Sequence, residues 1–205
     1  MNTANQTLDF SQVVTGRHSV RQFERDVQIS DAELNEILTL AGTAPSSWNL
    51  QHWRFLVVRE QEQKDRLLPL AFNQQQVSDA SAVVIVLGDL QANLMTPVVF
   101  ANSPQEIQDM MAQQINGAYA SDPSVARDEA IRNASLAAMQ LMLAAKAKGY
   151  DSVPMGGYNR AAVVKELNIP DRYIPVMMVP IGKAVSPARP TGRLPLDQIV
   201  IHERF

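Results

Sequence analysis

Apolar positions recur at two periods along this chain, and the switches between them lay out its elements. Leu8 to Thr15 has helical spacing and stops at Gly16. Ser30 followed by Glu33 is a capping-box signature, and Leu34, Ile37, Leu38 and Ala41 then repeat at helical spacing up to Gly42. Trp53 to Val58 is a compact apolar and aromatic run that reads as a buried strand, and Gln61 to Leu70 reads as a short helix. Ala82 to Gly88 (AVVIVLG) is β-branched and bounded by polar residues, the strongest strand signal present.

The second half begins with a helix predicted over Pro104 to Tyr119. Another is predicted from Asp122 as N-cap, with Pro123 at the first helical position, to Gly149. Between Ile131 and Ala147 it is rich in Ala, Leu and Met on nearly every face, so it belongs at the centre of a domain or in a subunit interface. Asp151 to Met155 reads as a short strand, Asn159 caps a helix to Leu167, and Ile174 to Ile181 reads as a strand. After Lys183 the prolines at 187, 190 and 195 mark an extended tail with little core of its own, which must lie across something else. Strands separated by helices, without hairpin signals, predict an α+β fold. No repeat or linker divides residues 1–205, so a single domain is expected, with an arm over about 184–205.

Composition narrows the function. At 46% hydrophobic and 19% charged the chain is globular, and a net charge of −3 gives no reason to expect nucleic acid or an anionic membrane as partner. Cysteine is absent, which removes disulfides, thiol catalysis and Cys-based metal sites. Met1 to Asp9 is polar and does not read as a signal peptide, and no apolar run approaches the roughly 20 residues that span a bilayer. A cytoplasmic protein is the expectation. His18, His52 and His202 have no metal-ligand spacing; the phosphate-loop, dinucleotide and hydrolase-elbow motifs are missing. An enzyme of this sequence must borrow its chemistry from an organic cofactor.

Three segments suit such a cofactor. In an extended Arg17-His18-Ser19-Val20-Arg21, the side chains of Arg17, Ser19 and Arg21 point the same way and suit a phosphate or a polyhydroxyl chain; a solvated basic turn is the alternative. Ala44-Pro45-Ser46-Ser47-Trp48-Asn49-Leu50-Gln51-His52-Trp53 supplies hydroxyls, carboxamides and indoles with hardly any charge, a mix that lines a planar heteroaromatic ligand. Within it Trp53 reads as core. Val153-Pro154-Met155-Gly156-Gly157-Tyr158 lies at a strand end before a helix, where paired glycines let backbone amides approach a ligand. A plain strand-to-helix connection accounts for it equally well.

Taken in order, RHSVRQF, APSSWNLQHWRF, FNQQQVSDASAVVIVLGD, VPMGGY and GRLPL resemble the nitroreductase family of FMN flavoproteins along nearly the whole chain. The resemblance implies a three-layer sandwich with a mixed, mostly antiparallel sheet flanked by helices. It implies a homodimer with FMN at the interface, and a C-terminal arm that reaches the partner subunit. By position, Arg17, His18 and Ser19 would hold the phosphate and ribityl chain, and Arg21 would sit near the ribityl and pyrimidine edge. Ser46, Ser47 and Asn49, with Pro45 beside them, would come from the partner subunit. Asn73 and Gln76 would meet the pyrimidine side. Pro154, Met155, Gly156 and Gly157 would pass by the ring, the Gly156 amide near N5, and Arg193 would reach the phosphate.

The implied activity is a ping-pong reaction in which NAD(P)H, as NADH or NADPH, reduces FMN and a small electron-poor acceptor such as a nitroaromatic or quinone then reoxidises it. Phe100, Met110, Met111 and Tyr119 are candidates for the acceptor pocket, with core packing as the alternative. Gln76, Gly156 and Thr191 depart from residues that some members carry as Lys, an acid and a base, which bears on redox tuning more than on FMN binding. The same fold hosts enone reduction, dehalogenation and azoline oxidation, and a flavin-binding protein without turnover is a further alternative.

Overall fold

The computed structural model describes residues 9–205; Leu8, where the first helix was expected to start, lies outside the described residues. Helix α1 (Phe10–Gly16) opens on a capping box between Asp9 and Gln12, and α2 (Asp31–Ala41) on the predicted one between Ser30 and Glu33. Strand β1 (Trp53–Val58) follows, then α3 (Gln61–Leu70), a short α4 (Gln76–Asp79) and β2 (Ala82–Asp89). An excursion holds α5 (Thr96–Val99) and α6 (Gln105–Ser121). It leads into α7 (Val125–Ala147), β3 (Asp151–Ser152), α8 (Arg160–Glu166), β4 (Tyr173–Gly182) and a single turn, α9 (Leu196–Ile199).

The strands form one sheet in the order β1-β2-β4-β3, every neighbouring pair antiparallel. The parallel component of the expected mixed sheet is the isolated bridge between Ser19 and Ser152. Strand β2 is buried along its whole length, and its side chains alternate between two cores. Ala82, Val84 and Val86 meet α2 and α7 on one face, while Val83, Ile85 and Leu87 meet α3, α4 and α8 on the other. Helix α7 is thus the central helix of the domain. Gly88 marks its closest approach to the sheet: a Cβ there would stand 2.8 Å from the Ala130 carbonyl oxygen.

Apart from shifts of one or two residues at other element ends, three features differ from expectation. Helix α7 starts at Val125, because Asp122 closes a turn, its carboxylate accepting from the Ser124 amide at 2.7 Å, instead of capping the helix. Strand β3 ends at Ser152, since Pro154 has no amide to donate; only a bridge between Met155 and Met178 continues the pairing. The tail, expected to be extended throughout, contains the α9 turn and is exposed from Arg189 onward.

Candidate functional site

Beyond α1 the chain runs extended, and its alternation sorts the basic segment. Val20 and Phe23 enter the core, each 3% exposed, and the Val20 amide donates to the Ser152 carbonyl at 3.2 Å. Ser19 and Arg21 therefore face outward and line a cleft of about 550 Å³ together with Ser186, Arg189 and Thr191 of the tail. His18 faces a neighbouring cleft of about 540 Å³ that also holds Lys146 and Asp151, and residues 186–188 wall both. Arg17 Nη1 and His18 Nδ1 are buried without a hydrogen-bond partner among the described residues. Two buried polar atoms without a partner, in the segment whose neighbours border both clefts, suit an external group.

Two other predicted segments come together although about 80 residues separate them in sequence. Phe72 and Asn73 hold left-handed backbone, φ 54° and 55°, a conformation that costs a bulky residue energy. The turn they make lets the Gln74 carboxamide donate to the Gly157 carbonyl at 2.7 Å. Gln76 bonds to Gln74 at 3.2 Å and reaches the Met155 sulfur at 3.7 Å. Met155 is buried and Pro154 half-buried, whereas Gly156 and Gly157 are exposed. A Cβ on Gly156 would meet nothing within 4 Å, so the chain itself leaves that face free.

The loop before β1 is the most strained of the site: Trp48, Asn49 and Gln51 have φ values of 50°, 54° and 50°. Its hydroxyls have partners within the chain. Ser46 Oγ accepts from the Gln51 amide at 3.0 Å; the Ser47 amide donates to Asn133 Oδ1 at 2.9 Å and its hydroxyl donates to Glu129 at 2.5 Å. Burial works against ionising Glu129, but the bonds from Ser47 and Asn133 and the charge of Arg132 hold its carboxyl below the ordinary range. Pro45 and Asn49 are exposed. Arg193 is exposed too and bonds only to Thr191 and Gly192 beside it, so within one chain it does not join the clefts.

Phe100, Met111 and Tyr119 pack with Trp48, Leu50 and Ile115 against the inner side of this loop, while Met110 is 51% exposed. Tyr119 also meets the fully buried His52 at 2.9 Å. Burial pushes the Tyr119 hydroxyl up to about 12, and burial lowers the His52 imidazole despite Glu129 and Asp89 nearby. Sequence reasoning gave no role to Gln74, His52, Glu129 or Asn133; each has a partner distant in sequence, Gly157, Tyr119 and, for the last two, Ser47, which no local spacing announces. Among the described residues no cluster of His, Asp and Glu could hold a metal, and no helix is long and apolar enough to cross a membrane.

Residues 14–183 match the model of the Nitroreductase family. YodC of Bacillus subtilis, provisionally named an NAD(P)H nitroreductase, is 50% identical over 94% of this chain and 96% of its own length. The "CLA biosynthesis enone reductase" of Lactiplantibacillus plantarum is 35% identical over 90% of each chain. A provisionally named nitroreductase from Exiguobacterium sibiricum, solved in complex with FMN, superposes with a TM-score of 0.88 and 42% identity, covering 98% of this chain and 99% of the other.

Proposed function

The chain belongs to the nitroreductase family, and on that premise we propose that it is an FMN-dependent oxidoreductase that takes electrons from NAD(P)H, its flavin held at a homodimer interface. The observation that carries the reading is the pair of unsatisfied buried atoms, Arg17 Nη1 and His18 Nδ1, in the segment between α1 and the core, His18 lining a cleft that shares the wall of residues 186–188 with the one lined by Ser19 and Arg21. A phosphate and a polyhydroxyl chain supply the acceptors these groups lack. Asn73, Gln76 and the backbone of Pro154, Met155, Gly156 and Gly157 form a separate polar edge with an open glycine face, which suits a flat ring.

When bound, FMN supplies a reversible hydride acceptor. The chain's own part is to hold, orient and shield: Arg17, His18 and Ser19 hold the charged end, Arg21 meets the ribityl and pyrimidine edge, and the Gln74–Gly157 link fixes the edge along which the ring would lie. No side chain acts as a nucleophile in this reading.

Apolar surface supports the homodimer. Leu194, Leu196, Ile199, Val200, Ile201 and Phe205 of the tail are exposed, as are Phe10 and Val14 of α1 and Leu136 and Met139 of α7. That much apolar area on a monomer marks an interaction surface. In the dimer Pro45, Ser46, Ser47 and Asn49 approach the partner's flavin, Asn49 having the freest side chain, and Arg193 travels with the arm to a phosphate. Removing residues 184–205 is expected to abolish both the dimer and FMN retention; a dimer that keeps FMN without the arm contradicts this arrangement.

Nitroaromatics and quinones are the acceptor classes of the leading reading. The enone reductase among the relatives supports conjugated enones as a second class. Steady-state turnover with NADH and NADPH against nitro, quinone and enone acceptors separates these, and no oxidation of either nucleotide with any acceptor rejects the reductase assignment. A cytoplasmic location is the natural setting for such an enzyme.

A further inference from the structure

Helix α6 is 17 residues long and buries only Ile115. Helices in globular proteins are held mainly by an apolar face, so α6 is lightly anchored. Gln108 bonds back to the loop just before the helix, at Ala101 and Ser103. Among the described residues, two further side-chain hydrogen bonds tie α6 to other elements: Asn116 to Asn93 at 3.1 Å, and Tyr119 to His52 at 2.9 Å. The first is exposed. The second ends on an imidazole with no exposure, immediately after the strained Trp48–Gln51 loop.

That loop and α6 also share a core. Trp48 and Leu50 pack in the same cluster as Phe100, Met111 and Tyr119. Met110, at 51% exposed, and Ile107, at 37%, remain at the surface of the same helix. Any shift of α6 therefore moves an apolar wall relative to the loop that carries Ser46, Ser47 and Asn49.

Resting on the oxidoreductase reading above, we propose that His52 and Tyr119 form a positioning pair that fixes α6 against this loop and thereby sets where its apolar side chains stand relative to an acceptor bound on the flavin. Neither residue acts on the acceptor itself. Three observations suit the role. Burial keeps the Tyr119 hydroxyl protonated and His52 neutral, so the bond is a neutral one in a low-dielectric setting. His52 Nδ1 already lacks a partner, so losing Tyr119 would leave the buried ring with none. The groups facing the pair, Glu129 on α7 and Asp89 on β2, each have their own ligands in Ser47 and Asn133 and in Arg172.

The test uses full-length, FMN-loaded protein and Tyr119→Phe, which removes one oxygen and keeps the ring. Two quantities are measured: the ratio of kcat/KM for a one-ring acceptor (p-nitrobenzoate) to that for a two-ring acceptor (menadione), and amide hydrogen exchange along α6. The variant is expected to retain FMN, to shift the ratio by about five- to tenfold, the factor one hydrogen bond corresponds to, and to exchange faster in α6 but not in β2. His52→Gln, whose carboxamide can accept from the same hydroxyl, should stay within about twofold of the parent ratio. An unchanged ratio overturns the proposal. So does a changed ratio with unchanged α6 exchange, because that places Tyr119 in direct contact with the acceptor. If the parent protein takes up no FMN or reduces neither acceptor, the function proposed above fails instead. Exchange in α6 then decides the positioning role alone, and unchanged protection overturns it.

Discussion

The Gln74 carboxamide donates to the Gly157 carbonyl at 2.7 Å and joins two stretches of the candidate site that are 83 residues apart. The same nitrogen bonds the Ala71 carbonyl at 3.1 Å, so one side chain clamps the left-handed Phe72–Asn73 turn against the glycine turn. Gln74→Ala removes the clamp at a partly exposed position. FMN affinity is expected to fall about five- to tenfold, while the stability of the FMN-free protein falls by no more than the about 1 kcal/mol that one net hydrogen bond is worth. Flavin fluorescence titration beside a melting curve checks both halves, and a loss of stability with unchanged affinity would place Gln74 in the scaffold alone.

Gly88 tests the packing of the central helix. A Cβ there would lie 2.8 Å from the Ala130 oxygen and 3.0 Å from its carbonyl carbon, backbone atoms that cannot swing aside. Gly88→Ala should destabilise the protein by about 1–3 kcal/mol through overpacking, read from the denaturant midpoint at unchanged slope.

Asp89 is fully buried and receives both Nε and Nη2 of Arg172 at 2.7 Å, with Arg54 at 3.6 Å. Arg172→Leu strands that carboxylate. The cost expected is about 2–4 kcal/mol, below that of a wholly buried pair because Arg172 is part-exposed and Arg54 and the Gln91 amide stay in reach. The double variant Asp89→Asn, Arg172→Leu should recover part of it, since no buried charge is then left unpaired.

His52 makes stability depend on pH. Burial lowers its folded value below that of the unfolded chain, with Glu129 and Asp89 offsetting part of the effect. The unfolded state then binds the extra proton first. Stability is fully present above the unfolded value of about 6.5 and is lost as pH falls from there through the folded value. Urea midpoints should drop between about pH 6.5 and 5, before carboxylates titrate, and His52→Gln should flatten the slope over that window. A parent slope that His52→Gln leaves untouched would assign it elsewhere.

The sequence carried the frame of this molecule, but not the bonds among the residues it proposes for the site. The capping box at Ser30, the AVVIVLG strand and the Ala-rich central helix are local patterns, and each forms where its residues predict. Asp122 misled because an acid before Pro fits an N-cap and a turn equally well, and the choice depends on where Ser124 falls. The three positive φ angles at Trp48, Asn49 and Gln51 have no glycine to announce them. Ser47 read as free to meet a ligand, yet Glu129 and Asn133, 82 and 86 residues away, engage it. Spacing reports which face a residue takes; it does not report which distant side chain meets it.

Anaerobic titration of the purified, FMN-supplemented protein with NADH and with NADPH, followed in the visible spectrum, bears most directly on the central claim. Flavin absorption is expected to stay with the protein through gel filtration and to bleach with one equivalent of at least one nucleotide per flavin, as for a two-electron hydride carrier. Arg17→Ala should lose that retained absorption, because it removes the half-buried guanidinium proposed to anchor the phosphate. A colourless protein that takes up no FMN, or a bound flavin that neither nucleotide bleaches, would contradict it.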